Sequence, residues 1–323
     1  MAELNVAIIG LGGIGAVHLQ RWANVSGARI AAVCDVDAGT ATRVATEFGA
    51  EGHTDWESLL EAGRFDIVDI CTPPNLHRAL AVKALESGAH VLCEKPLART
   101  AKGAQDMVEA AERTGRLLMT AFCHRFHPPI LFVKELIDND DLGRVVMFRN
   151  RFSGRFAGVE EKWFSRPEIS GGGALLDTAV HSIDLFRHLV GEVKTACGRL
   201  GTFNPRLEVE DSGAVVLESE SGAIGVVECS WATPGGRNVV EVYGTAGAAI
   251  VDYDANFDPG QVTFKTADMP VWETRQMTGP DRFQREILHF ADAVRGLQTL
   301  SVTGRDGLRA NEIIAELYAA AGL

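Results

Sequence analysis

Short apolar runs alternate with longer amphipathic stretches through the first part of this chain. In Asn5–Ile9, Ala28–Cys34, Ile67–Cys71, His90–Cys93 and Leu117–Ala121 most side chains are apolar, the pattern of strands buried on both faces. Asn75–Ser87 and Ala101–Thr114 carry their apolar residues at helical spacing instead. That alternation predicts a parallel sheet with helices on both faces. Beyond about residue 123 the rhythm changes: a helix over Pro128–Ile137, an extended stretch over Arg144–Arg155, a helix over Ala174–Val190, then strands over Ala214–Ser219, Ala223–Trp231, Asn238–Tyr243 and Ala248–Tyr253. Glycine and acidic turns separate these strands, which predicts a largely antiparallel open sheet with helices on one face. Helical stretches over Arg282–Arg295 and Gly307–Ala321 close the chain. The expected architecture is α/β, with one domain over 1–123 and a second over 124–323, and the helix near 307–321 is a candidate to return to the first domain.

The first apolar run leads into Gly10-Leu11-Gly12-Gly13-Ile14-Gly15 and then a helical stretch. Strand, glycine loop, helix, second strand and acid arrive in the order of a Rossmann dinucleotide-binding unit. One glycine permits the tight turn, the next lets backbone approach a pyrophosphate, and the third allows close packing of helix on strand. Backbone N–H groups at the helix start then face the phosphates. The acid is Asp35, at the end of the second run, where a carboxylate holds the adenosine ribose hydroxyls. A 2′-phosphate about 4 Å from it would be repelled by roughly 4 kcal/mol at an effective dielectric near 20, so NAD is expected over NADP.

Composition narrows the partners. The chain has 323 residues, 46% of them hydrophobic, enough for two sizeable cores. With 31 basic and 43 acidic residues and a net charge of −12, nucleic acid and anionic membrane are not expected partners. The six cysteines show no CxxC spacing, which predicts reduced, buried thiols and a cytoplasmic setting. No apolar run reaches membrane-spanning length, and the first one runs straight into the glycine loop as a core strand does.

Ligands of an open parallel sheet lie beyond the carboxyl ends of its strands, which directs attention to the segments after Cys71 and Cys93. Cys71-Thr72-Pro73-Pro74-Asn75-Leu76-His77 reads as a rigid turn with Asn75 as a helix N-cap, and Thr72, Pro73, Asn75 and His77 are candidate cofactor contacts. Cys93-Glu94-Lys95-Pro96 places Glu94 and Lys95 where a nicotinamide would lie. A lysine there can donate a hydrogen bond to a reacting oxygen, or move a proton if burial adjusts its pKa. The plainer reading of Glu94-Lys95-Pro96 taken alone is a surface lysine after a strand.

The second cluster is Gly171-Gly172-Gly173 leading into a helix on which Asp177, His181, Asp184 and His188 share one face at regular helical spacing. A carboxylate one turn before an imidazole can orient it or bind substrate, and imidazole titrates near neutral pH, as removal of a hydroxyl proton requires. The plainer reading is a solvated polar stripe. His124, Arg125, Trp163 and Arg166 are candidates for binding substrate hydroxyls or stacking on a ring. No metal is expected: Cys123, His124 and His127 lack an established ligand spacing, and redox chemistry on a nicotinamide requires none.

Taken in order, GLGGIG, Asp35, CTPPNLH, CEKP and GGGALLDTAVHSIDLF resemble the glucose–fructose oxidoreductase, inositol dehydrogenase and rhizopine-catabolism (Gfo/Idh/MocA) family over nearly the whole chain. The resemblance implies NAD-dependent oxidation or reduction of a sugar, polyol or derivative, and a homodimer or homotetramer assembled through the C-terminal sheet. It implies that Lys95 binds the reacting hydroxyl, that His181 accepts or donates the proton, and that Asp177 fixes substrate and imidazole. Ala179 stands where the family often has glycine. Two other activities belong to the same resemblance: a glycosidase that uses NAD for transient oxidation, and a non-catalytic NAD-binding regulator.

Overall fold

The computed structural model describes residues 3–254 and 258–323. Two compact units emerge, one formed by the residues up to Ala121 with Phe283–Arg309, the other by Phe122–Arg282 with Ala310–Leu323.

The first unit is built on β1 (Leu4–Ile9), α1 (Gly13–Trp22), β2 (Ala28–Cys34), α2 (Ala38–Phe48), β3 (Glu51–His53), α3 (Trp56–Ala62), β4 (Ile67–Ile70), α4 (Pro74–Glu86), β5 (His90–Glu94), α5 (Ala101–Thr114) and β6 (Leu118–Ala121). Every strand pairing is parallel, in the order β3-β2-β1-β4-β5-β6. The parallel sheet expected from the sequence thus takes the doubly wound order of a Rossmann fold, which reverses between β1 and β4. Helices start where side chains satisfy their first N–H groups: Asp37 accepts from Thr40, Asp55 from Ser58 and Thr100 from Gly103. Asn75 is no such cap, because α4 already begins at Pro74, and a proline needs no partner for an N–H it lacks. The apolar runs did not reveal α2, β3 and α3, whose burial is partial and whose strand is only three residues long.

The second unit holds α6 (Pro128–Asp138), β7 (Val145–Ser153), α7 (Pro167–Ser170), α8 (Val180–Leu189), β8 (Val193–Gly201), β9 (Ser212–Ser219), β10 (Ile224–Ser230), β11 (Asn238–Gly244), β12 (Ala248–Asp252), β13 (Gln261–Lys265) and β14 (Glu273–Gln276). Its sheet runs β14-β13-β12-β11-β7-β10-β9-β8, antiparallel except for the parallel pair β7 and β10. One face is apolar. Phe148 of β7 meets Phe186 of α8 edge to face, and Gly225 of β10 lacks the Cβ that would stand 2.7 Å from that phenyl ring. The other face is charged, with Arg151–Glu228 at 2.9 Å and Arg149–Glu241 at 3.6 Å. The outer strands β8, β13 and β14 were not legible in the sequence, since their alternation is mostly polar.

The chain closes with α9 (Arg282–Val294) and α10 (Gly304–Ala321). Nearly all of α9 and the first six residues of α10 group with the first unit, while the rest of α10, from Ala310, groups with the second. Gly304 and Gly307 sit where a Cβ would meet Leu118 and Thr120, at 2.6 and 2.3 Å.

Candidate active site

The cofactor half grows out of the reversal in strand order. Gly10, directly after β1, adopts φ +91°, and a Cβ there would lie 2.7 Å from the Cys71 carbonyl at the end of β4. Gly15 closes against Gly10, where a Cβ would fall 1.9 Å from its carbonyl oxygen. Gly12 and Gly13, by contrast, are exposed with open space where a Cβ would be, and α1 starts at Gly13 with no side-chain cap. Ile14 is half-buried in the first turn. Asp35 accepts from the Leu11 N–H at 2.9 Å with one oxygen and from the Asp37 N–H at 2.9 Å with the other, so it also ties the glycine loop to the end of β2. Beside Gly10, the Thr72 hydroxyl is buried with no hydrogen-bond partner among the described residues. An uncapped helix start, a bare glycine surface, a partly exposed carboxylate and an orphaned hydroxyl at one sheet edge fit a dinucleotide.

Two of the expected cofactor contacts turn out to support other residues. His77 is fully buried, with Nδ1 3.0 Å from the Pro96 carbonyl and Nε2 2.7 Å from the Thr72 carbonyl, so it joins two loops rather than meeting a ligand. Burial holds its pKa below the ordinary value. Glu94 is 6% exposed and turned inward, where Oε2 accepts the Lys95 N–H at 3.0 Å. Asn75 is exposed in the first turn of α4, Pro73 is its half-buried N-cap, and Lys95 is half-buried after β5.

The second unit presents Asp177 and His181. The segment Leu175–Ala179 forms a widened π turn before α8, which interrupts the regular helical spacing expected between the two residues. The predicted polar stripe is not solvated: His181 is 8% and Asp184 1% exposed. Asp184 binds Arg125 through Nε at 2.8 Å and Nη2 at 2.5 Å, so Arg125, expected to contact substrate, is half of a buried ion pair. A lone buried guanidinium would be far costlier than this paired one.

Around His181 the rings of His124 and Phe122 lie 4.4 and 6.1 Å away between centroids. His124 Nδ1 is 3.1 Å from the Tyr253 hydroxyl, whose phenol is buried and driven far above its ordinary pKa, so it stays protonated. Cys123, His124 and His181 bring one donor atom each within 4.8 Å of one another, a grouping that spacing along the chain does not reveal.

Asp177 is steadied by a short relay: Trp231 Nε1 donates to the Thr178 hydroxyl at 2.9 Å, which donates to Asp177 at 3.2 Å. These residues border a cavity of about 290 Å³ lined also by Ser153, Arg155, Phe156 and Asn238. Trp163 stacks on Phe164 at 3.7 Å, next to this aromatic wall, and Arg166 is exposed at the start of α7.

Glu210 carries the entrance to this helix. Its carboxylate accepts from Gly173 N–H at 3.0 Å, Leu175 N–H at 2.9 Å and the Tyr318 hydroxyl at 2.8 Å, and its carbonyl accepts from Ala174. Cβ atoms at Gly172 and Gly173 would stand 2.1 Å from the Tyr318 hydroxyl and 1.7 Å from the Glu210 carbonyl oxygen. Burial raises the Glu210 pKa despite these donors. No local pattern points to Glu210, Tyr318, Tyr253 or Trp231, because each joins the site from a distant element. His18, Asp69 and Trp22 form a further buried group in the first unit, likewise unanticipated.

Comparison with known proteins agrees with both halves. Residues 4–122 match the oxidoreductase family model with an NAD-binding Rossmann fold, and residues 130–250 match the GFO/IDH/MocA C-terminal domain. Levoglucosan dehydrogenase of Pseudarthrobacter phenanthrenivorans is 30% identical over 82% of this chain and 77% of its own length. D-glucoside 3-dehydrogenase of Escherichia coli K12 is 28% identical over 99% and 96%. A solved levoglucosan dehydrogenase in complex with NADH and levoglucosan superposes with a TM-score of 0.92 at 26% identity, over 99% of this chain and 97% of that one.

Proposed function

Because this chain belongs to the GFO/IDH/MocA oxidoreductase family, we propose that it oxidises a secondary hydroxyl on a six-membered sugar ring or cyclic polyol, using NAD. Levoglucosan, D-glucosides and inositol, named for its relatives, all offer such hydroxyls. The observation that supports a substrate of this class is the cavity beside Asp177. Its volume of about 290 Å³ is near the lower end of small-ligand pockets, roughly 300–1,000 Å³, and it combines hydrogen-bonding groups with the aromatic rings of Phe156 and Trp231.

Bound NAD supplies the electron-pair acceptor at its nicotinamide. Gly12 and Gly13 offer backbone to the pyrophosphate, and Asp35 takes the ribose hydroxyls in preference to a 2′-phosphate. Lys95 hydrogen-bonds the reacting hydroxyl and stabilises negative charge as it develops on that oxygen. His181 accepts the hydroxyl proton, Asp177 binds neighbouring hydroxyls and orients the imidazole, and His124, with Trp163 and Arg166, completes the substrate contacts. The exposed apolar residues Met147, Val216 and Ile224 on the charged face of the second sheet support self-association there, as a homodimer or homotetramer.

The deciding experiment is a panel of inositols, aldoses, glycosides, anhydrosugars and sugar acids followed by NADH absorbance. Accumulation of NADH with a pyranose or inositol is the expected result. Release of an aglycone without net NADH would establish a glycosidase instead, and silence across the panel would overturn the substrate class.

A further inference from the structure

Beneath Lys95 lies a buried array of ionisable groups that the proposed chemistry does not use. His18, on α1 just past the glycine loop, is fully buried, and its Nδ1 is 2.8 Å from Asp69 Oδ2 on β4. The same oxygen accepts from Trp22 Nε1 at 2.7 Å. On the other side, His18 Nε2 stands at an ion-pair distance of 3.3 Å from Glu94 Oε1 at the end of β5, without the alignment of a hydrogen bond. Glu94 in turn holds the Lys95 N–H.

A neutral imidazole carries one N–H, and Asp69 takes it at Nδ1. A bare Nε2 lone pair would then confront the Glu94 carboxylate, so the arrangement calls for a second proton on the ring. Burial is the largest single influence and opposes that charge, yet the charge and hydrogen bond of Asp69, together with Cys71, hold the His18 pKa well above its ordinary value. The other groups facing the ring are Cys71, whose thiol burial keeps neutral, and Phe283 of α9 at 6.4 Å.

We propose that His18 is a positioning residue for Lys95: its imidazolium, held by Asp69, balances the charge of the Glu94 carboxylate that anchors the Lys95 backbone. The array joins the helix that follows the glycine loop to the strand end that presents the reacting lysine. It rests on the reading of Lys95 given above.

Substitution separates charge from packing. With Asp69, His18 and Glu94 ionised, the array carries one net negative charge; H18Q makes it two, E94Q makes it zero, and the H18Q/E94Q double variant restores one. The full-length protein, saturated with NAD, would be labelled with acetic anhydride across a pH series, and Lys95 acetylation read by mass spectrometry. The pH midpoint of Lys95 labelling should rise in H18Q and fall in E94Q, each by about half a pH unit, and return in the double variant. NADH affinity, from nicotinamide fluorescence, should stay within about threefold of wild type.

Identical midpoints in all four proteins, or shifts of H18Q and E94Q in the same direction, would overturn the proposal, because a purely structural role gives no opposite signs. Should H18Q fail to fold, the double variant decides: a midpoint equal to wild type supports a cationic His18, whereas a midpoint below wild type means a neutral ring and overturns the proposal. K95M tests the underlying reading separately. Full NADH production by K95M in the substrate panel removes Lys95 from the chemistry, whereas an inactive K95M alongside unmoved labelling midpoints refutes only the role of His18.

Discussion

Glu94 and Glu210 do the same job in different units, each holding the backbone of a functional segment with a buried carboxylate, but the groups that balance them differ. Glu94 holds the Lys95 N–H and faces His18, an imidazole kept cationic by Asp69. Glu210 faces two N–H groups and the Tyr318 hydroxyl, all neutral donors, and its pKa is raised. Secondary structure accounts for the contrast. Lys95 follows a regular strand whose backbone is largely satisfied by the sheet, so one carboxylate contact suffices and a neighbouring helix can bring a cation. The Gly171–Gly173 entrance is irregular and opens into a π turn, which leaves helix-start N–H groups needing an acceptor. A carboxylate can meet several donors at once, even where burial penalises its charge.

The comparison breaks most visibly at the helix that Glu210 supports. H181A should lower turnover by roughly two to four decades while NADH affinity, measured by fluorescence titration, stays near wild type. Normal turnover would remove His181 from the proton transfer and leave Glu210 supporting a structural helix. E210A strands the Gly173 and Leu175 N–H groups and the Tyr318 hydroxyl, at about 1–3 kcal/mol for each group left buried and unsatisfied. Urea unfolding should report a loss of at least about 3 kcal/mol, and E210Q should lose less, since its amide oxygen still accepts.

The sign of the pH effect follows from the raised pKa. Folded Glu210 holds its proton more tightly than the unfolded chain does, so its contribution is complete below the ordinary glutamate range and is lost as pH rises through the raised value. The stability margin of wild type over E210Q should therefore narrow with rising pH across that window. An unchanged margin would mean that Glu210 titrates as it does in the unfolded chain.

In the first unit the expected effects are smaller. W22F removes the indole donor to Asp69 and should cost about 2 kcal/mol in urea unfolding, as for a hydrogen bond to a charged group. No change would show that His18 alone suffices to hold Asp69. D35A should weaken NAD binding roughly tenfold and narrow the preference over NADP, a loss of about 1.4 kcal/mol. Part of that loss comes from freeing the Leu11 N–H, so equal weakening of both dinucleotides would assign Asp35 to the loop alone.

Local patterns carried the first unit far. Its five apolar runs match β1, β2, β4, β5 and β6 within a residue at each end, because strands covered on both faces must be apolar along their whole length. The GLGGIG loop was legible for a related reason: its conformation demands glycine wherever backbone crosses backbone, as at Gly10 and Gly15. Arg125 was misread because a charged residue next to candidate ligands gives no hint that Asp184 neutralises it. His77 and Glu94 were placed at the right edge of the sheet but assigned to a ligand, when their side chains turn inward to support Thr72, Pro96 and Lys95.

Local patterns sufficed for the alternation of elements, the cofactor loop and the polar residues of the helix after Gly173, because each depends on neighbours a few positions away. Which of those polar groups are spent on one another emerges from long-range packing alone. Burial makes every charge and donor demand a partner, and His18 with Asp69 and Glu94, Arg125 with Asp184, and Glu210 with Tyr318 find theirs on elements far apart in the chain.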